Sequence, residues 1–137
     1  MLRDPLELGA AGRLLLALDV YTSAFEKMVA ADMASGEYRE VNDCLEQIRQ
    51  AASMNSRELL FNTVQLVLAH SNLTTRLWQR QVSRQQPGSA LVSEVEIQAL
   101  RNDHKRAVRR LRDRCQNLVA KAVSPDSAHS KTPPRAP

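Results

Sequence analysis

Apolar residues recur at alternating four- and three-residue spacing in four successive segments of the chain, a period that fits packed α-helices. In the first segment, from about Pro5 to Ala34, Leu14, Leu18, Tyr21, Phe25 and Met28 share one stripe. Asp4 is the expected N-cap, and Pro5 takes the first helical position, where its missing N–H costs nothing. Ser35-Gly36 supplies the expected stop. The second segment, about Glu37 to Met54, repeats the pattern in Tyr38, Val41, Leu45, Ile48 and Ala52, with Glu40, Asp43 and Glu46 on the opposite side.

The third segment follows a Ser56 N-cap and runs to about Gln85. It carries two adjacent apolar lines: Leu60, Val64, Val67 and Trp78 on one, and Leu59, Leu66, Leu73 and Leu77 on the other. A stripe this wide predicts a central helix packed against more than one neighbour. Gln86-Pro87-Gly88-Ser89 is the strongest turn signal in the chain. The fourth segment runs from about Ala90 to Val123, with Val108, Leu111, Cys115, Leu118 and Ala122 as its stripe.

With 137 residues, 4% aromatics and four glycines, the chain suits helices better than a multi-stranded sheet. The expected fold is all-α: an antiparallel up-down bundle of about four helices, built as two helical hairpins with long third and fourth helices. One domain is expected over residues 1–123. The Pro- and Ser-rich stretch 124–137 has too little apolar surface to repay ordering and is expected to be a disordered, mobile tail.

Charge is segregated along the chain. Residues 1–58 hold six Lys/Arg against ten Asp/Glu, and residues 59–137 hold thirteen against five. Arg101, Lys105, Arg106, Arg109, Arg110, Arg112 and Arg114 make the fourth helix strongly basic, and they form the candidate binding surface. Three readings compete for them. They are a solvated face partly paired with the acids of the second helix, a docking surface for an acidic protein, or a phosphate-neutralising surface for nucleic acid. The nucleic-acid reading lacks a helix-turn-helix signature, a zinc ligand set or aromatics interleaved with the bases.

No phosphate loop, nucleophile elbow or local Cys/His/Asp grouping appears, so no enzymatic activity and no cofactor are expected. Cys44 and Cys115 are far apart, in no metal-like spacing, and read as reduced packing residues. His70 and His104 both fall on apolar lines. If the third and fourth helices form a hairpin about Gly88, the two reach similar heights, a candidate pair for pH sensing or metal binding. The bland alternative is two boundary histidines with partly wet rings.

The opening residues show no apolar run of signal-peptide length, and the longest, Leu14 to Leu18, is far short of a membrane span. A cytoplasmic protein without a membrane partner is therefore expected. In size, helicity and segregated charge the chain resembles the small secretion chaperones and adaptors of bacteria. That likeness rests on no motif. Two functions follow as expectations: a self-associating, adaptor- or chaperone-like module that binds another protein, with a homodimer as the expected assembly, and alternatively a nucleic-acid binder acting through the fourth helix.

Overall fold

A computed structural model of the chain describes residues 9–53, 57–86, 88 and 92–123. The expected caps at Asp4 and Ser56 and the expected tail at 124–137 lie outside the described residues. Four helices form: α1 (Gly9–Ala30), α2 (Ser35–Ser53), α3 (Arg57–Gln85) and α4 (Glu94–Val123). At about 1.5 Å per residue, α3 and α4 reach about 45 Å, against about 30 Å for the first pair. Each helix packs against its sequence neighbours, and α1 closes the ring by packing on α4. The all-α up-down bundle is therefore what the chain adopts, with α1 and α3 on one diagonal and α2 and α4 on the other.

The stripes read from the sequence make the core. Leu14, Leu18, Tyr21, Phe25 and Met28 of α1 are buried, and so are Val41, Leu45, Ile48 and Ala52 of α2. Helices α3 and α4 add Leu59, Leu66, Leu73, Leu77, Ile97, Leu111 and Cys115. Burying a side chain of leucine size contributes about 1.5–3 kcal/mol, so these positions supply most of the drive to fold.

Two boundaries differ from the expected ones. Helix α1 stops at Ala30, four residues early, and Gly36 sits in the first turn of α2. The stop is a Schellman turn. The Asp32 N–H donates to the Val29 carbonyl (3.1 Å) and the Met33 N–H to the Met28 carbonyl (2.9 Å). Asp32 and Met33 take the left-handed conformation, with φ of 55° and 65°, where glycine is usual. Met33 is buried in the same core cluster as Met28, which offsets that cost. Helix α4 starts at Glu94 rather than near Ala90. The Ser93 hydroxyl accepts the Glu96 N–H (3.2 Å), which fixes the start. Gly88, with a φ of 89°, meets the conformational demand of the α3–α4 turn.

Candidate functional site

Three features stand out once the bundle is assembled: a polar cluster in the core, a basic outer face on α4, and an apolar outer face on α3. The core cluster joins both candidate histidines. Tyr21 of α1 presents its hydroxyl to His70 Nδ1 at 2.9 Å and to His104 Nε2 at 2.6 Å. The ring centroids of the two histidines lie 6.4 Å apart, with the phenol oxygen between them. Phe25 stacks on His104 (centroids 4.3 Å apart) and meets His70 edge-on.

A phenol has one proton to give, so Tyr21 donates to one ring and accepts an N–H from the other. Burial lowers the His70 pKa to about 4. It does the same to His104, helped by the neighbouring His70 and Arg101 charges. Burial, with Cys44 nearby, pushes the Tyr21 phenol above its ordinary value. All three groups are thus neutral near pH 7. The histidines are buried, not partly wet, and they meet through Tyr21 rather than directly. The point at which both ring nitrogens aim is taken by the phenol oxygen. Among the described residues no three His, Cys, Asp or Glu side chains are grouped to hold a metal ion.

The cysteines are free, buried thiols. Burial raises both, with Cys115 pushed up to about 11 even beside Arg112. Neither is a reactive thiolate at neutral pH.

The basic residues of α4 divide into two sets. Arg101 and Arg112 are half-buried and pair with acids of α1, Arg101 with Glu26 at 3.8 Å and Arg112 with Asp19 at 2.5 Å. These two pairs reach α1 rather than the acids of α2, because α2 and α4 stand at opposite corners of the bundle. Lys105, Arg106, Arg109, Arg110 and Arg114 are exposed. Arg106 pairs with Asp103 one turn back. Among the described residues Lys105, Arg109 and Arg110 have no acid within ion-pair distance. A cleft of about 280 Å³ between α1 and α4 runs beneath Lys105 and Arg109, floored by Phe25, His104 and Val108.

Helix α3 carries the least expected surface. Its line Leu59, Leu66, Leu73 and Leu77 is buried, as a core stripe should be. Most of its second line faces out: Leu60 is 45% exposed, Val64 47% and Trp78 39%, while Val67 is half-buried and packs against the core. Phe61 (63%), Leu68 (54%) and Val82 (39%) widen it. At about 100° per residue these six fall within one sector of about 100°, centred about 150° from the buried line. The row spans about 33 Å. Nothing charged interrupts its centre, since Leu59 to Thr75 contains no Asp, Glu, Lys or Arg. The wide stripe of α3 therefore marks a helix with one face inside and one outside, and the neighbours α2 and α4 flank the outer face without covering it.

On the α2 side, the row borders a groove of about 410 Å³ lined by Leu60, Thr63, Val64, Val67 and Leu68 and rimmed by Glu46, Arg49 and Gln50. The Thr63 hydroxyl in this groove is buried, with no hydrogen-bond partner among the described residues. On the α4 side, Gln65, Leu68, Ala69 and Asn72 border Asp103, Arg106 and Arg110. The Trp78 ring meets Tyr38 of α2 edge-on (6.0 Å), and Asn62 donates to the Arg110 carbonyl (3.5 Å), which together fix the heights of the three helices. The sequence signal for this face was available in the uncharged run, which helical periodicity alone does not weigh. No described helix is long and apolar enough to cross a membrane. The chain matches no family model, no curated protein and no solved structure, so the reading of these surfaces rests on their own chemistry.

Proposed function

We propose that the chain is a non-enzymatic protein-interaction module, adaptor- or chaperone-like, that receives an apolar helix on the outer face of α3. One observation carries the reading. Six of the nine large hydrophobics exposed among the described residues lie on that face, in one uncharged row beside an apolar groove. The row is densest from Leu60 to Leu68, and clustered exposed apolar surface is a mark of a binding site. A helix laid along it would gain burial at four- and three-residue spacing, the ordinary mode of helix-in-groove recognition.

A second reading, nucleic-acid binding through α4, is favoured by Lys105, Arg109 and Arg110, which are exposed and have no acid partner among the described residues. It is weakened by the ties of Arg101 and Arg112 to α1, which remove two bases from the surface.

Capture from native lysate compares the wild type with Leu68→Glu and with Arg109→Glu/Arg110→Glu, with and without nuclease. The protein-binding reading expects bound proteins that survive nuclease, survive the arginine changes and vanish with Leu68→Glu. Material lost to nuclease, to ~0.5 M salt and to the arginine changes, but retained by Leu68→Glu, overturns it in favour of nucleic acid.

A further inference from the structure

The cleft between α1 and α4 combines an apolar floor with unmet charge, and it lies across the bundle from the outer face of α3. We infer that it binds a small organic anion, a carboxylate carried on a body of one or two apolar rings. This site is separate from the α3 face and does not depend on the reading of that face.

The charge of the ligand follows from the groups around the cleft. Thr22 donates its hydroxyl to the Leu18 carbonyl of its own helix (2.9 Å) and offers nothing to a ligand. Glu26 pairs with Arg101 (3.8 Å) and Arg112 with Asp19 (2.5 Å), so these four charges cancel in pairs. Lys105 and Arg109 remain, both exposed, with no acid within ion-pair distance among the described residues. They stand four residues apart on α4, where like charges are neighbours and repel. One negative group held between them removes that repulsion, and a carboxylate suits the forked donors of Arg109.

The body of the ligand follows from the floor. Beneath the two cations lie Phe25, Val108 and the ring of His104. An inorganic anion leaves that floor wet, and a nucleic acid has no use for it, since phosphate contacts need only the exposed cations. An apolar body covers the floor and adds burial to charge. The volume of about 280 Å³ stands at the low end of small-molecule sites, which suits one or two rings. His104 is 7% exposed and meets Tyr21 through Nε2, while its Nδ1 has no hydrogen-bond partner among the described residues. The floor thus carries one polar atom besides its apolar surface.

The test titrates the full chain with 2-naphthoate and follows amide and methyl shifts by NMR. 2-Naphthamide supplies the same body without the charge, and inorganic phosphate supplies an anion without the body. Naphthoate should bind saturably below ~1 mM, with the shifts gathered at Thr22, Phe25 and Val108, and each control should bind at least about tenfold more weakly. Lys105→Met/Arg109→Met keeps the side-chain stems and removes the charges, so it should weaken naphthoate by at least about tenfold. Arg106→Met/Arg110→Met and Leu68→Glu lie outside the cleft and should leave binding within about twofold. Circular dichroism and melting establish that each variant is folded.

Naphthamide binding as tightly as naphthoate overturns the inference, because the cleft then selects for grease and not for charge. Phosphate binding as tightly overturns it in favour of a plain anion surface. Naphthoate lost with Leu68→Glu but kept with Lys105→Met/Arg109→Met sits on the α3 face and overturns it as well. So does the absence of any saturable binding by the wild type.

Discussion

The two apolar lines of α3, one all leucine and the other Leu, Val and Trp, both read as core stripes, yet the first is sealed in the core and most of the second lies in solvent. The difference comes from neighbours. Leu66, Leu73 and Leu77 point into the bundle interior, whereas Leu60, Val64 and Leu68 point outward from the corner that α3 occupies between α2 and α4. A helical period thus tells which residues share a face, and the number of apolar faces tells how many surfaces the helix seeks to cover. In this chain that number exceeds what one bundle provides.

The sharpest way to break the comparison is to truncate one leucine on each line. Leu66→Ala opens a cavity in a fully buried site and should cost about 2–5 kcal/mol in urea unfolding. Leu68→Ala should stay within about 0.5 kcal/mol. Equal losses would show that the outer line is packed within the monomer.

The inner face also holds His70, and acid should therefore act on it. In the fold His70 and His104 titrate near 4, while in the unfolded chain they titrate near 6.5. Between those values the unfolded state takes up protons that the folded state refuses. Stability is complete above about pH 6.5 and falls toward pH 4, by about 1.4 kcal/mol per pH unit for each histidine. Urea midpoints that match at pH 7 and pH 5 would rule this out. Tyr21→Phe, which strips both rings of their shared partner, should cost about 1–3 kcal/mol at pH 7.

Thr63 sits where the inner face turns toward the groove, and its hydroxyl lacks a partner. Thr63→Val keeps the shape and removes the unmet group, so melting should rise by an amount equivalent to about 1 kcal/mol. A clear loss of stability would mean that the hydroxyl is satisfied in solution. The smallest effect belongs to the exposed border of the hairpin. Arg80→Ala breaks the ion pair with Glu94 (2.9 Å) and should cost well under 1 kcal/mol, a change that ~0.5 M salt should mimic in the wild type.

Much of the fold was legible in the stripes, because buried positions on a helix must repeat with the helical period. The four helices, their order and the inner line of α3 follow from that rule. Less legible was the α1–α2 turn, since Asp32 and Met33 occupy left-handed positions that glycine normally signals. The histidines could be placed at matching heights from the hairpin alone. Their common partner could not, because Tyr21 lies 49 and 83 residues away and its stripe position describes only the ring, not the hydroxyl. The ion pairs of α4 eluded sequence reasoning for a related reason. Asp19 and Glu26 are the only acids of α1, and only the closure of α1 on α4 gives them Arg112 and Arg101.

The diagonal placement of α2 and α4 has a consequence for the molecule in an electric field. Helix α2 holds four Asp/Glu and two Lys/Arg, while α4 holds eight Lys/Arg and four Asp/Glu. Separated across the bundle, they give a single copy a permanent dipole moment transverse to its long axis. Dielectric relaxation of the chain would therefore report that moment with no label and no substitution.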